Sequence, residues 1–359
     1  MTHADGATRP LRVLFDARMA TRRRTGGARH IGGLQTALEA DPGVTVLAVS
    51  GPPGFPRRNV LTTIGNLALD LAWTHVALPA IALARRVDVI HAPFNWAPLA
   101  APVPVVVTIH DLSWEVLPDA YPRAFRLFAR HFTRWSARRA AQVLTVSATT
   151  ADDVIDRYGI PPSRVQVTYT GIPPRGSARQ PRQDIVLTVG EFEPRKRVPE
   201  LVAAHRAYWD GAADDPHRCR LVVVGSGGSD EAAVQRLAHA GCDVVGYVSE
   251  ERLEELYRSA ALTVSNSAFE GFGLPIAEAA GAGCAVLIAD TPALREAGGP
   301  EALVVEHPGP EALTRALREA LRDRTRLAGL DAAMRAHAAR FTWSRCVADT
   351  LAAYRRAVS

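Results

Sequence analysis

Short runs of apolar, β-branched residues alternate with longer stretches of helical character along the whole chain. The runs are almost continuously apolar, which is typical of parallel strands that helices cover on both faces. In the first half they are LRVLFDA, VTVLAVS, VDVIHA, VPVVVTIHD and QVLTVS, and in the second half DIVLTVG, CRLVVVG, DVVGYV, ALTVSNS and CAVLIAD. The pattern therefore predicts an α/β fold in which a doubly wound parallel sheet occurs twice.

A polar segment separates the two halves of this pattern. Residues 171–184 are rich in Pro, Gly, Ser and Arg and show no apolar periodicity, as expected of a linker. We therefore predict a Rossmann-like N-terminal domain over 1–175, a linker over 176–183 and a Rossmann-like C-terminal domain from 184 to 340. Ligands bind at the carboxyl ends of parallel strands, so two such domains facing each other would place ligand sites on the walls of a cleft.

Composition adds the class of protein and a charge asymmetry. A chain of 359 residues that is 47% hydrophobic suits two globular domains. The four cysteines are widely spaced and include no CxxC pair, which favours reduced thiols in a cytoplasmic protein and no zinc site. Residues 1–180 carry 21 arginines against 12 acidic residues, whereas residues 181–359 carry 21 basic against 25 acidic residues. The basic half indicates an anionic partner, with solvated surface arginines as the alternative.

Two segments of the first half bear on membrane contact. The longest apolar stretch, VLTTIGNLALDLAWTHVALPAIALA, is interrupted by Asp70, His75 and Pro79. It therefore predicts a buried or interfacial helix rather than a membrane span. In YPRAFRLFARHFTRWSARRA, arginines at helical spacing are interleaved with aromatic residues. Such a helix could lie on an anionic membrane or pack its apolar side in the core, and we favour the core.

The segment SAFEGFGLPIAEAAGAG combines a strand end, a glycine loop and a helix start. Gly271 and Gly273 let the backbone approach a ligand closely, and Pro275 suits a first helical position. The start of a helix offers N–H groups and a positive dipole end to phosphate. Glu270 and Glu278 are poor phosphate ligands, so they are predicted to accept hydrogen bonds from sugar or ribose hydroxyls. The alternative is that Glu270 caps the helix while Glu278 faces water.

Lys196 is the only lysine among 42 basic residues. It lies in VGEFEPRKRVPEL, just beyond a predicted strand that ends near Gly190. Because the composition favours arginine throughout, composition alone makes Lys196 a chance survivor. The motif around it is needed to decide otherwise.

FEGFGLPIAEA resembles the E-x7-E motif of retaining glycosyltransferases of the GT-B fold, in particular the mannosyltransferase-like group 1 enzymes of glycosyltransferase family 4. The resemblance extends over almost the whole chain, because LFDARMATRRRTGGARH, VVVTIHDLSWEVLPD and RFTWSRCVADTLAAYRRA follow in family order. It implies two Rossmann-like domains facing across a cleft. It also implies a C-terminal crossover helix over 341–359 that packs back toward the N-terminal domain.

The resemblance implies catalytic roles for four residues. PRK matches the basic pair that meets the donor's diphosphate, here Arg195 and Lys196. Lys196 is a compact point charge that can follow phosphate oxygens, whereas arginine presents a planar fork. Glu270 is expected on hydroxyls of the transferred sugar, and His110 in TIHD matches the family histidine beside the reacting sugar.

The resemblance also implies donor and acceptor contacts. Glu278 is expected on the ribose hydroxyls, while Tyr247 and Val248 border the base. Asp111 is a candidate on the acceptor side. Further acceptor candidates are the basic pair Arg23 and Arg24, and the expected main-chain contacts to the donor are Gly26, Gly27, Gly190, Gly271, Phe272, Gly273 and Leu274. Arg197 stands where mannosyltransferase-like relatives carry asparagine, a departure that bears on donor preference.

The predicted reaction moves a sugar from a nucleotide diphosphate donor to an acceptor hydroxyl with retention, with no metal, other cofactor or nucleic acid. GDP-mannose or dTDP-rhamnose is favoured over UDP-sugars, and the acceptor is a glycan, a lipid-linked or a small molecule. The predicted location is the cytoplasm or the inner face of the plasma membrane. Alternatives are a catalytically silent binding partner and an NAD-dependent oxidoreductase. Asp230 argues against the latter because it replaces the third glycine of a dinucleotide fingerprint in VVVGSGGSDEAAVQRL.

Overall fold

A computed structural model gives the fold and describes residues 9–20, 25–52, 60–173 and 181–359. The chain divides into two compact units. Unit 1 comprises Met1–Leu112, Arg123–Gly171 and Trp343–Ser359, and unit 2 comprises Ser113–Pro122 and Ile172–Thr342.

Unit 1 contains one parallel sheet and the helices that cover it. Its strands are β1 (Leu11–Asp16), β2 (Val44–Val49), β3 (Val89–Ala92), β4 (Val105–Ile109), β5 (Gln142–Thr145) and β6 (Val165–Val167). The sheet order is β2-β1-β3-β4-β5-β6. Its helices are α1 (Gly26–Glu39), α2 (Val60–Ala72), α3 (Leu78–Arg85), α5 (Arg123–Arg139), α6 (Ala148–Tyr158) and α15 (Trp343–Val358). A π-helical turn, Trp73–Ala77, joins α2 to α3.

Unit 2 repeats the architecture. Its strands are β7 (Gln183–Val189), β8 (Arg220–Val224), β9 (Cys242–Gly246), β10 (Ala260–Ser265), β11 (Ala285–Ala289) and β12 (Leu303–Val305), in the parallel order β12-β11-β10-β7-β8-β9. Its helices are α4 (Ser113–Val116), α7 (Val198–Asp210), α8 (Glu231–Leu237), α9 (Glu250–Ser259), α10 (Leu274–Gly281), α11 (Pro292–Gly298), α12 (Pro310–Arg322), α13 (Arg324–Gly329) and α14 (Asp331–Ala338).

The two parallel sheets confirm the predicted doubly wound α/β class, and all ten predicted strands are present. Among the strands of the described residues, the sequence pattern missed β6 and β12. Each is three residues long and lies at the edge of its sheet, so neither is long enough to show an apolar run. Ligand sites of such sheets lie beyond the carboxyl ends of the strands.

The C-terminal helix α15 packs on the sheet of unit 1, as the family resemblance implied. Its Tyr354 is fully buried, and the hydroxyl lies 2.7 Å from Nδ1 of His91 on β3. The indole of Trp343 lies so close to Gly33 and Gly171 that a Cβ atom at either glycine would approach within 2.4 Å of it. The first unit is therefore completed by the last residues of the chain.

The favoured interpretation of α5, with its aromatic side in the core, holds only in part, because Phe128 and Phe132 are half-buried whereas Phe125 and Trp135 are exposed. The helix buries the small residues Ala129, Thr133, Ser136 and Ala137, because these allow it to lie close to the sheet. Trp135 remains 42% exposed and Phe125 40% exposed.

The long apolar helix of unit 1 is mostly uncovered. By length and composition, Gly65–Arg85 would be able to cross a membrane, and only 17% of its apolar window is buried. The buried alternative of the sequence-based prediction is therefore wrong, and the interfacial alternative stays a prediction.

Candidate active site

The loop that carries Lys196 follows the carboxyl end of β7. Gly190 adopts φ 153° there, a value open to glycine. The chain then forms a 3₁₀ turn over Pro194–Lys196, closed by a hydrogen bond from the Lys196 amide to the Glu193 carbonyl at 2.8 Å. A Cβ atom on Gly190 would lie 3.7 Å from Nζ of Lys196, so the lysine side chain lies directly over the strand end.

Arg195 and Lys196 both contact Glu270, the first carboxylate of the E-x7-E motif. The Lys196 ammonium donates to Oε1, and Nη1 of Arg195 donates to Oε2 at 3.0 Å. Ser267 donates to the same carboxylate at 2.7 Å. Arg195 also donates to Glu193 at 2.8 Å and to the Phe269 carbonyl at 3.2 Å. The sequence-predicted cations and carboxylate therefore meet where β7 and β10 end.

Glu270 is charged over the whole physiological range. Burial acts to raise its pKa, but the charges of Lys196 and Arg195, with hydrogen bonds from Lys196 and Ser267, outweigh that effect and lower it to about 2. The side chains of the three charged partners are 9% to 17% exposed, so their attraction is screened less than that of a surface pair.

Helix α10 begins at Leu274, immediately after the loop formed by Gly271, Phe272 and Gly273. Gly273 precedes the helix with φ 92°, and Pro275 lies in the first turn. Because the first N–H groups of a helix have no intrahelical acceptor, this start can receive an anionic group. The predicted strand, glycine loop and helix are thus confirmed as local structure.

Glu278 is fully buried on α10, and Tyr257 of α9 donates a hydrogen bond to it at 3.1 Å. Since Gly273 precedes the helix and no side chain caps it, the alternative in which Glu270 is the cap and Glu278 faces water is wrong. The expected contact of Glu278 with ribose remains a prediction.

The glycine loop after β8 is packed against the loop after β7. Gly225 has φ 136°, and a Cβ atom there would lie 2.0 Å from the Gly190 carbonyl oxygen. The amide of Gly227 donates to the carboxylate of Glu231 at 3.0 Å. The Gly227 amide, which a dinucleotide-binding loop would offer to phosphate, therefore already donates to a carboxylate. This agrees with the prediction that the loop is only a strand-to-helix turn.

We expect Gly225→Ala to lower the free energy of unfolding of the protein by about 3 kcal/mol, because the methyl group would overlap backbone and force an unfavourable φ. The measurement is urea unfolding followed by circular dichroism. Gly246→Ala is the matched control. Gly246 also has positive φ, at 66°, but no atom lies within 4 Å of the added Cβ, so only about 1 kcal/mol should be lost. Equal losses in the two variants would contradict this packing.

Arg197, the residue that departs from the family pattern, has a left-handed backbone at φ 48°. Asn266, which is 2% exposed at the end of β10, donates from Nδ2 to the Arg197 carbonyl at 3.3 Å. Asparagine tolerates this backbone region far better than other non-glycine residues. The family's asparagine thus has a structural reason, whereas an effect of Arg197 on donor preference stays a prediction.

We expect Arg197→Asn to raise the free energy of unfolding by roughly 0.5 to 1 kcal/mol, since it relieves left-handed strain. Urea denaturation midpoints provide the measurement. Arg206→Asn, an exposed position within α7, is the control and should be slightly destabilising because asparagine has the lower helix propensity. A lower midpoint for Arg197→Asn would show that the arginine side chain contributes more than the strain costs.

Tyr247 and Val248 follow β9, at the same strand-end edge of unit 2. Tyr247 is 47% exposed, and its hydroxyl donates to Glu191 at 3.4 Å. An exposed ring next to a strand end is available for stacking on a base. The structure leaves their predicted role open.

In unit 1, Gly26 and Gly27 form the first turn of α1 instead of the loop that the resemblance implied. Thr25 caps this helix by accepting a hydrogen bond from the Ala28 amide at 3.2 Å. A Cβ atom on Gly27 would lie 3.2 Å from Phe94 and 3.7 Å from Nδ1 of His110. A larger residue at Gly27 would therefore require the Phe94 ring to shift slightly. Arg23 and Arg24 lie outside the described residues.

His110 follows β4 and has a defined orientation. Its Nε2 lies 2.8 Å from the Pro93 carbonyl, and its amide donates to Oδ1 of Asn95 at 2.9 Å. Burial lowers the pKa of His110 more than the Pro93 hydrogen bond and the charge of Asp111 raise it. Because a carbonyl only accepts, the neutral ring carries its hydrogen on Nε2 and presents Nδ1 as an acceptor toward α1.

Sequence reasoning missed four side chains or carbonyls that hold the site: Ser267 and Tyr257 beside the two glutamates, and Pro93 and Asn95 around His110. Ser267 and Asn95 lie next to strand ends, and this position is the signal by which the sequence could have identified them. Tyr257 is separated by 21 residues from Glu278, and no local pattern links them.

Comparisons with known proteins agree with this geometry. The family model described as Glycosyltransferase Family 4 matches residues 24–175, and the one described as Glycosyl transferases group 1 matches residues 174–340. The chain belongs to glycosyltransferase family 4. It is a transferase, so the oxidoreductase and silent-partner alternatives are set aside.

Relatives of this family 4 glycosyltransferase include enzymes with different named sugars and acceptors. The chain is 30% identical to the D-inositol 3-phosphate glycosyltransferase of Geodermatophilus obscurus, over 89% of this chain and 77% of the relative. It is 27% identical to the O-antigen chain mannosyltransferase B of Escherichia coli, over 70% of each chain.

Solved structures show the GT-B fold. The sucrose-phosphate synthase of Thermosynechococcus elongatus matches with a TM-score of 0.72 at 20% identity, covering 97% of this chain and 98% of that one. The Anabaena protein HepE, crystallised with UDP and glucose, matches with a TM-score of 0.69 at 18% identity, covering 95% and 99%. At these identities the likeness establishes the fold of this family 4 glycosyltransferase and nothing finer.

Proposed function

We propose that this glycosyltransferase moves a sugar from a nucleotide diphosphate donor to a hydroxyl acceptor with retention at the anomeric carbon. The observation that carries the proposal is the cluster of Lys196, Arg195 and Glu270 beside the start of α10. Two cations, a carboxylate and a helix start at one strand-end edge match a ligand that combines a diphosphate with hydroxyl groups.

The cations act on the leaving group. As the glycosidic bond breaks, negative charge grows on the departing diphosphate, and Lys196 and Arg195 are already held beside the helix start before the donor arrives. Such pre-arranged donors stabilise the transition state more than the ground state. Among the described residues, no group of three His, Cys, Asp or Glu side chains is arranged to hold a metal ion. We propose that the two cations, and not a metal ion or another cofactor, neutralise this charge.

The glutamates select hydroxyl groups. Glu270 is ionised and can accept hydrogen bonds from the transferred sugar while it keeps both cations in place. Glu278, supported by Tyr257, accepts from the ribose. Tyr247 and Val248 border the base, and the main-chain amides at Gly271, Phe272, Gly273 and Leu274 hold the donor, together with Gly190.

In unit 1, His110 is an oriented hydrogen-bond acceptor. Its neutral ring offers Nδ1 to a hydroxyl of the reacting sugar, and Asp111 lies next to it on the acceptor side. Gly26 and Gly27, at the start of α1, provide main-chain contacts to phosphate. We assign no general base, because in a front-face reaction an oxygen of the departing phosphate takes the proton of the acceptor.

For the donor we favour GDP-mannose or dTDP-rhamnose. A named mannosyltransferase among the relatives supports mannose, whereas the HepE complex with UDP keeps UDP-sugars as the second choice. The acceptor is a glycan, a lipid-linked or a small molecule, since one relative acts on an O-antigen chain and another on an inositol phosphate. Four free, buried cysteines support a cytoplasmic location.

The test begins with thermal shifts in GDP, dTDP and UDP, because a ligand that binds only the folded state raises the apparent melting temperature. The nucleotide with the largest shift then defines the sugar donors used for turnover, with the anomeric configuration of the product read by NMR. We expect a shift for one diphosphate above its monophosphate and release of that diphosphate on turnover. No shift with any nucleotide and no release from any donor would overturn the proposal.

A further inference from the structure

The long helix of unit 1 presents an apolar face to the outside. Val76 is 67% exposed and Leu83 is 69% exposed. Between residues 65 and 84 every exposed position is apolar, namely Leu67, Ala68, Ala72, Val76, Ala80, Leu83 and Ala84. A surface helix of a water-soluble domain normally turns its polar side outward. Water is therefore not the environment to which this face is suited.

The polar side of the same helix is fixed to unit 1. Arg18 is 6% exposed and donates to Oδ1 of Asp70 at 3.2 Å and to Thr74 at 3.4 Å. Trp73 donates from Nε1 to Asp16 at 3.1 Å. Removing the helix from the domain would separate the buried Arg18 from Asp70, which is costly. The helix consequently lies along the domain surface and does not extend from it as a membrane span.

Helix α5 adds positive charge and further exposed apolar groups. Its 17 residues contain six arginines and no acidic residue. Leu127 is 63% exposed, in addition to the partly exposed Phe125 and Trp135. Aromatic and aliphatic side chains interleaved with arginine are suited to the boundary between lipid headgroups and acyl chains.

The two helices are neighbours. A groove between them is lined by Leu67, Leu71, His75, Trp96, Phe128 and Phe132. The rings of His75 and Phe132 lie 6.1 Å apart, centroid to centroid, across this groove. Residues 65–85 and α5 thus lie side by side along this groove, and we call their exposed sides together the basic-apolar face.

We propose that the basic-apolar face binds the surface of an anionic phospholipid bilayer. The aliphatic stripe would lie in the plane of the interface, and the arginines of α5 would pair with lipid phosphates. The aliphatic stripe offers no hydrogen bonds to a nucleic acid. In a two-fold dimer the same patch would face itself and bring the arginines of both copies together, so a second copy is disfavoured. This inference is independent of the donor, and binding needs no turnover.

The apolar part is tested by sedimentation with vesicles of equal parts phosphatidylcholine and phosphatidylglycerol, using the full chain. Leu83→Ser combined with Leu127→Ser should weaken binding by about tenfold or more, because two exposed leucines no longer enter the interface. Val245→Ser combined with Val358→Ser is the matched control, since these valines are 44% and 40% exposed and belong to β9 and α15, not to the two helices of the face. Their binding should equal that of the wild type.

The contribution of positive charge is tested by replacing arginines. Arg123→Gln with Arg134→Gln should weaken binding about twenty-five-fold, at roughly fivefold per arginine near an anionic surface. Arg315→Gln with Arg322→Gln removes the same charge from the exposed side of α12 and should change little. Added salt should weaken wild-type binding, and phosphatidylcholine vesicles alone should bind poorly.

Three results would overturn the proposal: no vesicle binding by the wild type, equal losses in the face variants and their controls, or equal binding to neutral vesicles. Analytical ultracentrifugation without lipid identifies the alternative occupant. A dimer that the double serine variant separates would make the face an interface between copies. Circular dichroism of each variant checks the fold, and the exposed positions should leave it unchanged.

Discussion

Lys196→Ala is expected to lower kcat by about a hundredfold to a thousandfold, the loss seen when one pre-arranged donor to developing charge is removed. The lysine lies over the end of β7 beside Glu270, where the departing diphosphate gains charge. Arg195 still pairs with Glu270 in the variant, so the protein should fold normally. The measurement is release of nucleotide diphosphate at saturating donor, with circular dichroism as the check on folding.

Two further variants are needed to interpret this result. Lys196→Arg keeps the charge but replaces a compact ammonium by a planar fork, so it should recover only part of the rate. Arg252→Ala is the control. It removes an exposed arginine of α9 whose ion pair with Glu255 lies at the surface, with both side chains 58% exposed, so kcat should be unchanged. Wild-type turnover by Lys196→Ala would remove the lysine from the mechanism.

The fold was predictable because its signals are local. Each of the ten predicted strands is a nearly continuous apolar run, and central strands of a parallel sheet must be apolar on both faces. The edge strands β6 and β12 were missed since three residues carry no pattern. The burial of α5 was predicted only in part for a different reason: periodicity shows that a helix has an apolar side, but not whether that side or a row of small residues meets the sheet.

The sequence predicted those parts of the candidate site that lie within a single motif. The glycine loop, Glu270, and the Arg195–Lys196 pair are each visible in a short segment. Their mutual contacts are not, because 74 residues separate Lys196 from Glu270 and only the neighbouring positions of β7 and β10 in the sheet bring them together. Family resemblance assigned both residues to the donor site, but it did not predict that they contact each other. Tyr257 was missed because no motif marks it.

The loop prediction for Gly26 and Gly27 was wrong because a local pattern does not show three-dimensional packing. Two consecutive glycines after a run of arginines suggest a loop, yet Thr25 caps a helix that starts at Gly26. Glycine at position 27 allows α1 to lie close to Phe94, since a Cβ atom there would be 3.2 Å from the ring and would require it to shift slightly. A packing requirement in three dimensions thus overrides helix propensity.

Glu270→Ala is expected to affect both turnover and stability. It leaves Arg195 and Lys196, whose side chains are 17% and 14% exposed, without the carboxylate they share. Removing one partner of a buried charge cluster costs about 3 to 5 kcal/mol, and turnover should fall at least about a hundredfold because the cations lose their position. Urea unfolding and diphosphate release measure the two effects.

Combining Glu270→Ala with Lys196→Ala tests the cause of the instability. The double variant lacks one of the two repelling cations, so it should be more stable than Glu270→Ala alone although it carries one more substitution. If the two losses of stability simply add, the lysine and the carboxylate are not coupled.

The pH dependence of stability identifies the charge of Glu270 directly. Its pKa is about 2 in the folded protein against an ordinary value of 4.5. A lowered pKa means that the unfolded chain binds the proton more readily, so the carboxylate stabilises the fold fully above about pH 4.5 and loses that effect as the pH falls toward about 2. Glu270→Gln keeps the shape without the charge. The wild type should therefore exceed Glu270→Gln in unfolding free energy at neutral pH, and the difference should shrink on acidification. A difference that stays constant or grows at acid pH would show that Lys196 and Arg195 do not hold an ionised Glu270.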